Sequence, residues 1–317
     1  MEIKPREIYC MDVMEFIKAC IEAGIVVDAI VTDPPYAISQ AVTIVRKEWA
    51  DIRLDFGSWD KFDDLKSFLL WTFSWIEEID KLLRPGGIFV SFFDRDKINY
   101  MSRYAEMNLH YKRKNYFVWI KSNPAPQYRK VKLMTGWEEA IIMQKPSGYN
   151  EKKKEWEYKN LVFNSHLGQQ PDYLEQDMDD DPKDDVTNEA LWFKNSITQG
   201  NERKEAIIIR KKQVMVKNDS QKTLTGKKAT KTEIEKIRHP TQKPLNVMKL
   251  IVDYFTKPGG VVIDPFCGVG STLVACELED REWIGNDNDK QWFSIARQRL
   301  RKYTRKSDGT VGLDTFM

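Results

Sequence analysis

Apolar and polar positions along this chain follow two alternating rhythms, one with the period of a strand and one with the period of a helix. Val26, Val27, Ala29, Ile30 and Val31 form a short, mostly β-branched run with the length of a buried strand. Amphipathic stretches of helical period lie on either side, one over 12–23 and a longer one over 63–83, the second stopped by Arg84, Pro85, Gly86 and Gly87. Further strands are predicted over 88–93, 116–120 and 140–143. Towards the other end an amphipathic helix over 245–255 closes at Lys257, Pro258 and Gly259, and Val261, Val262 and Ile263 form a short strand. Leu273, Val274, Ala275 and Leu278 then suit a helix, and Glu282, Trp283, Ile284 and Gly285 another strand. Strands alternating with helices in this way predict an α/β fold, a doubly wound and mostly parallel sheet. Trp71, Phe73, Trp75 and Ile76 on the long helix are read as core.

The middle of the chain interrupts the alternation. Between 164 and 185 polar and acidic residues dominate, with Asp177, Asp179, Asp180, Asp181, Asp184 and Asp185 around Pro182, which reads as a solvated loop. A Ca²⁺ loop is the sharper alternative, but the spacing lacks the central glycine and final glutamate of an EF-hand. From Arg203 onward the sign reverses, through Lys204, Arg210, Lys211, Lys212 and on to Lys236, interleaved with Ile207, Ile208, Ile209, Val214 and Val216. This pattern suggests strands that present a basic face. The chain accordingly divides into 1–150, an inserted 151–236, and 237–317.

Two clusters carry candidate chemistry. Asp33, Pro34, Pro35 and Tyr36 follow directly on the first strand, at its carboxyl end, where open α/β sheets hold their ligands. Asp33 can accept one N–H, the carbonyl of Pro34 is held rigid as a second acceptor, and Tyr36 offers a ring for stacking. Such a set suits a planar exocyclic amine, although the same residues also make an ordinary loop after a strand. The second cluster is Asp264, Pro265, Phe266, Cys267, Gly268, Val269, Gly270, Ser271 and Thr272, which reads as a strand, a glycine turn and a helix start. Asp287, at the end of the next strand, is well placed to accept from ribose hydroxyls. Leu273 stands where a dinucleotide fingerprint has its third glycine, so a nucleoside without pyrophosphate fits better. Cys267 is read as a small apolar packing residue.

Composition adds bounds. The 317 residues can bury a substantial core, and 50 basic against 48 acidic side chains leave a net charge of only +2, so any surface for a polyanion must be segregated locally. The four cysteines (Cys10, Cys20, Cys267, Cys276) and three histidines have neither metal-site nor disulfide-scaffold spacing, and no structural metal is expected. No apolar stretch has the length of a membrane span and the amino terminus lacks the apolar core of a signal peptide, which gives a cytoplasmic expectation with no membrane partner.

In this order, DPPY at 33–36, HPTQKP at 239–244 and DPFCGVGST at 264–272 resemble the amino-methylating DNA methyltransferases of the permuted β group, in which the catalytic motif precedes the cofactor motif. The likeness extends through 8–16, LLRPGGIFV at 82–90 and 118–126, but not through 150–236. It implies a Rossmann-like class I methyltransferase fold, S-adenosylmethionine as cofactor, double-stranded DNA as partner, and target recognition in 151–236. It implies methyl transfer to the exocyclic N6 of a flipped adenine, with N4 of cytosine as the alternative, since DPPY goes mainly with adenine and SPPY with cytosine. Asp33, Pro34, Pro35 and Tyr36 become the catalytic loop. Asp264, Phe266, Gly268 and Gly270 face the methionine side of the cofactor, with Ser271 beside them at the helix start. Asp287 takes the ribose and Asp12 lies near the adenine. His239, Thr241 and Lys243 sit beside the methionine moiety, where Lys243 could pair with its carboxylate. Asn286 departs from the family, which commonly has a hydrophobic residue before the ribose acid. A homodimer and a cognate restriction endonuclease are partners the resemblance leaves open. Three rivals fit less well. A nicotinamide enzyme lacks a role for DPPY, RNA and protein-glutamine methyltransferases more often show NPPY and the unpermuted order, and an inactive DNA-binding relative would not need Asp33, Tyr36 and Gly268 intact.

Overall fold

The computed structural model describes residues 2–38, 43–44, 52–53, 60–121, 136–167, 173–174, 207–215, 230–238 and 242–303. In chain order the elements are β1 (Glu7–Tyr9), α1 (Val13–Glu22), β2 (Val27–Thr32), β3 (Thr43–Ile44), β4 (Ile52–Arg53), α2 (Leu65–Asp80), β5 (Leu83–Phe93), α3 (Ile98–Asn108), β6 (Lys112–Ile120) and β7 (Trp137–Gln144). They continue with β8 (Gly148–Asn150), β9 (Glu155–Glu157), β10 (Tyr173–Leu174), β11 (Ile207–Met215), β12 (Thr230–Arg238), α4 (Leu245–Phe255), β13 (Val261–Asp264), α5 (Ser271–Leu278), β14 (Glu282–Asn286) and α6 (Lys290–Tyr303).

Eight strands form one sheet in the order β1-β14-β13-β2-β5-β7-β6-β10. All neighbours pair in parallel except where β7 lies between β5 and β6 and runs against both. Because both faces are covered by helices, the central strands are apolar at nearly every position rather than at every second one. Successive side chains still go to opposite faces. Ala29, Val31, Ile88, Val90, Ile142 and Val262 pack with α4, α5 and α6 on one side. Ile30, Phe89, Ile141, Met143 and Ile263 pack with α1, α2 and α3 on the other. The expected doubly wound, mostly parallel α/β sheet is therefore the architecture observed.

Local signals set most boundaries. Asp12 caps α1 by accepting the N–H groups of Met14 and Glu15, and Phe16, Ile17 and Cys20 on its inner face are fully buried. Asp64 caps α2 through Ser67 N at 2.7 Å. Differences from the expected bounds include β6, which begins at Lys112 rather than 116, the helices α3 and α6, which the pattern did not mark, and α2, which ends at Asp80 rather than running on to Leu83. Arg84, Pro85, Gly86 and Gly87 do not stop a helix; they form a bulge inside β5, where the register with β2 jumps from Val27↔Leu83 to Ala29↔Ile88. Arg84 is drawn to Asp28 (Nε to Oδ1 2.6 Å), and Gly87 is required because a Cβ there would meet Leu83 and the Asp28 carbonyl at 2.6 and 2.9 Å. The basic segment contains the expected strands, with β11 and β12 paired antiparallel from Ile207↔Arg238 to Met215↔Thr230. The acidic run 177–185 lies outside the described residues. Among the described residues no helix is long and apolar enough to cross a membrane.

The helix after the glycine turn lies unusually close to the sheet. Leu273 of α5 is fully buried against Gly285 of β14, where an added Cβ would overlap its side chain. Gly285→Ala should therefore lower stability by about 1–3 kcal/mol through overpacking, measured by urea unfolding; a loss below a few tenths of a kcal/mol would mean that the contact relaxes freely.

Candidate active site at the β2–β13 crevice

β2 and β13 are parallel neighbours, with Ala29 opposite Val262 and Ile30 opposite Ile263. The sheet continues from β2 towards β5 on one side and from β13 towards β14 on the other, so the loops at their carboxyl ends diverge and leave a crevice. The DPPY loop leaves β2 there and the glycine turn leaves β13. Thr32 Oγ1 donates to Asp264 Oδ1 at 2.7 Å in a buried contact, and Phe266 N donates to the same oxygen at 3.1 Å. Burial pushes the Asp264 carboxyl up to about 7, against the pull of hydrogen bonds from Thr272, Thr32 and the Phe266 N–H. The crevice encloses about 280 Å³, and its walls include Asp12, Asp33, Tyr36, Lys243, Phe266 and Asp287. That is near the lower end of the roughly 300–1,000 Å³ usual for small-molecule sites.

On the glycine-turn side, Gly268 and Gly270 both have positive φ (52° and 78°). Gly268 N donates to Asp287 Oδ2 at 2.9 Å, while Asp289 N donates to Asp287 Oδ1 at 2.8 Å. Burial raises Asp287 to about 6. Gly270 does not line the crevice; it begins α5 with its α-carbon turned to Ala296, where a Cβ would sit 3.3 Å from the Ala296 Cβ. Behind the turn, the fully buried Arg299 donates to the Val269 carbonyl at 2.8 Å. Asn286, the departure from the family pattern, serves the structure of the turn. Its side chain accepts from Met11 N (3.3 Å) and donates to the carbonyls of Met11 (3.2 Å) and Pro265 (3.3 Å). It thus ties the approach to α1 to the turn. The Phe266 ring meets Trp75 at 5.2 Å and Trp71 at 5.7 Å. Trp75 is core as expected, but Trp71 lines the crevice and Phe73 stacks on Tyr104 at 3.9 Å.

On the DPPY side, both Asp33 oxygens have partners: the Tyr36 hydroxyl donates to one and the Lys243 ammonium to the other. Lys243 also pairs with Glu138 of β7 at 3.1 Å, and Glu138 in turn with Lys121 at 2.6 Å. Lys243, expected beside a cofactor carboxylate, here holds its ammonium between two carboxylates on the DPPY side, and its side chain is only 5% exposed. Burial alone would depress Lys243, but Asp33 and Glu138 outweigh it and hold it above its ordinary value. Burial would likewise raise Glu138, but Lys243 and Lys121 bring it down to about 2. For Asp33 burial wins, and its carboxyl is raised despite Lys243. The Tyr36 ring lies 5.9 Å from Phe93.

Of the residues anticipated from sequence, Asp12, Asp33, Pro34, Pro35, Tyr36, Lys243, Asp264, Phe266, Gly268, Ser271 and Asp287 converge on one crevice. His239 and Thr241 lie outside the described residues. The sequence reading missed Glu138, Asp60, Trp71 and Arg299. Asp60 is buried and accepts from three consecutive backbone N–H groups of Tyr36, Ala37 and Ile38.

A family model described as DNA methylase matches residues 27–298. The chain belongs to that family. Among curated relatives it is 24% identical over 279 residues to the type II methyltransferase M.HinfI of Haemophilus influenzae, covering 87% of this chain and 63% of that protein. It is 26% identical over 273 residues to the type II methyltransferase M2.DpnII of Streptococcus pneumoniae, covering 86% of this chain and 82% of that one. Among solved structures, an M1.HpyAVI–SAM complex superposes with a TM-score of 0.56 at 24% identity, covering 93% of this chain and 98% of the other. The cytosine-N4-specific PvuII DNA methyltransferase gives 0.59 at 16% identity, covering 94% and 87%. This methylase thus shares the class I methyltransferase fold of both.

Because the Thr32 hydroxyl is a donor to a buried carboxyl, Thr32→Val should cost about 1–3 kcal/mol and raise the Asp264 pKa further. Urea unfolding and titration of Asp264 by carboxyl NMR check both, and an unshifted Asp264 would mean that the hydroxyl does not restrain it.

Proposed function

We propose that this chain transfers a methyl group from S-adenosylmethionine to the exocyclic N6 of a flipped adenine within a specific sequence of double-stranded DNA. One observation carries the reading: the amine-gripping loop and the glycine turn open into the same crevice from adjacent strands. The donor set suits the cofactor. Asp264, buried, and Asp287, partly buried, are acids raised to about 7 and about 6, and a cationic ligand beside them would favour their ionised forms. The fixed Asp287 carboxylate keeps lone pairs for ribose hydroxyls. Asp264, Phe266, Gly268 and Ser271 form the wall for the rest of the cofactor, Asp12 lies towards its adenine, and His239 and Thr241 stay assigned to the methionine side by resemblance alone.

Bound S-adenosylmethionine supplies a methyl on a sulfonium. The protein's part is to prepare the amine, whose lone pair is delocalised into the base. Asp33 and the Pro34 carbonyl accept its two N–H groups and leave the lone pair directed at the methyl. The carboxylate then stabilises the positive charge that develops on nitrogen, an interaction strongest in the transition state. Its raised pKa also makes Asp33 a good first acceptor of the proton the amine sheds. Lys243 and Glu138 hold that carboxylate in place. The Tyr36 ring offers a stacking surface for a base taken out of the duplex. Affinity for DNA is assigned to region 151–236, where the lysines and arginines of β11, β12 and their surroundings can neutralise phosphates, with 1–150 as the catalytic part and 237–317 as the cofactor part.

The test is direct. Purified protein is incubated with labelled cofactor and unmethylated genomic DNA, and the digested nucleosides are identified by mass spectrometry. N6-methyladenine is expected; methylcytosine without methyladenine overturns the choice of base, and no label in DNA overturns the reading. Asp33→Ala should abolish transfer with cofactor affinity nearly intact, whereas Gly268→Val, which forces a β-branched residue to positive φ at the crevice wall, should abolish cofactor binding by calorimetry. Normal turnover in the first or unchanged affinity in the second would refute the respective assignment.

Cofactor affinity should depend on pH with a definite sign. The free acids are protonated below their raised pKa values, and a cation binds the ionised forms, so binding releases protons. Affinity should rise as pH increases through about 6 to about 7 and level off above. Calorimetry across that range checks this, and a pH-independent affinity would separate these acids from the cofactor.

A further inference from the structure

The DPPY loop has an unusual anchoring problem. Pro34 and Pro35 have no N–H, so the backbone between Asp33 and Tyr36 cannot be fastened through donors of its own. The first donors after the prolines are those of Tyr36, Ala37 and Ile38, and a single side chain takes all three. Asp60 Oδ1 accepts from Tyr36 N at 2.8 Å and Ala37 N at 2.6 Å, and Oδ2 from Ile38 N at 2.9 Å. Ala37 has φ +54°, a left-handed conformation that an alanine does not adopt unaided. Successive N–H groups arranged in this way form a concavity for an anion, and here the anion is internal. Asp60 itself is 2% exposed and lies on the wall of the crevice. Its own position is fixed from behind. Phe62, two residues on, packs its ring 5.0 Å from Phe68 and 5.2 Å from Trp71 on α2, and Asp64 caps that helix.

We propose that Asp60 is the positioning residue of the catalytic loop: by clasping the backbone from Tyr36 to Ile38 it sets the place of Tyr36, whose hydroxyl is bonded to Asp33, and so aims the amine acceptors. This rests on the methyl-transfer reading given above. The three hydrogen bonds of Asp60 all go to the DPPY loop, so its effect belongs to that side of the crevice. Removing it frees the left-handed turn and lets the acceptors drift, while the cofactor wall stands.

The experiment uses the full-length protein with Asp60→Ala and Asp60→Asn, the second retaining one acceptor oxygen but setting an amide against one of the three N–H groups. For each, kcat and KM for DNA, cofactor affinity by calorimetry, the thermal midpoint, and amide hydrogen exchange at Tyr36, Ala37 and Ile38 are measured. Asp60→Ala should lower kcat about 100-fold, the scale of an ångström-sized misplacement, with cofactor affinity unchanged within about threefold and exchange at the three amides accelerated. Asp60→Asn should fall between it and wild type on both kcat and exchange. Wild-type kcat in Asp60→Ala, unchanged exchange, or a parallel loss of cofactor affinity and kcat would overturn the proposal. If Asp60→Ala fails to fold, Asp60→Asn carries the same criteria. Should the wild-type protein transfer no methyl group, the functional reading fails, while the exchange data still decide whether Asp60 holds the loop.

Discussion

The parallel pairing of β2 with β13 is the constraint from which the rest of the site follows. Thr32 and Asp264, 232 positions apart, meet at the carboxyl ends of these strands through a 2.7 Å hydrogen bond. Once the strands are neighbours, the loops leaving their ends must face one crevice, whichever comes first in the chain. A permuted motif order therefore costs nothing structurally, because the order of strands in the sheet, not the order of motifs in the sequence, brings the DPPY loop to the glycine turn.

Beside that crevice lies a second long-range device, the run Lys121, Glu138, Lys243 and Asp33 with alternating sign, of which Asp33 and Lys243 line the crevice. Each charge taken singly would lose several kcal/mol on leaving water. Arranged in sequence, two ammonium groups and two carboxylates neutralise one another. The outcome is uneven: Glu138, with a lysine on either side, is lowered to about 2, whereas Asp33 is raised, because burial outweighs the pull of Lys243, its one cation in the row. Burial and position in the row together set the character of Asp33. The row also joins four parts of the chain, since Asp33 follows β2, Lys121 follows β6, Glu138 lies on β7 and Lys243 precedes α4.

What could be read from sequence was what is local. Most central strands and four of the six described helices came through because period and caps are written in neighbouring residues, and Leu245–Phe255 is a helix over the span its pattern predicts, whereas α3 and α6 were not foreseen. The site motifs were legible because each is contiguous. The missed residues share the opposite property. Glu138 in Trp137–Gln144 looks like the polar start of a strand, and only Lys121 and Lys243 mark it as a partly buried, paired anion. Asp60 and Arg299 have no local pattern, since their partners are backbone groups elsewhere. The glycines after Pro85 were misjudged for a related reason, because a bulge and a helix stop use the same residues and only the pairing with β2 distinguishes them.

The same distinction between position and contact bears on the ligand. The absence of a third glycine at Leu273 argued against a dinucleotide, yet the close helix–strand approach that this glycine normally permits is present, supplied from the other side of the contact by Gly285. Leu273 by itself therefore excludes little. Electrostatics excludes more. A pyrophosphate in such a turn needs free backbone N–H groups and no nearby anion, but Gly268 N–H is already given to the Asp287 carboxylate, and Asp264 stands at the start of the same turn. A phosphate there would meet two acids, one of them holding the donor it requires. A ligand with hydroxyls and positive charge meets acceptors instead, and the turn's chemistry selects it whether or not the glycine spacing does.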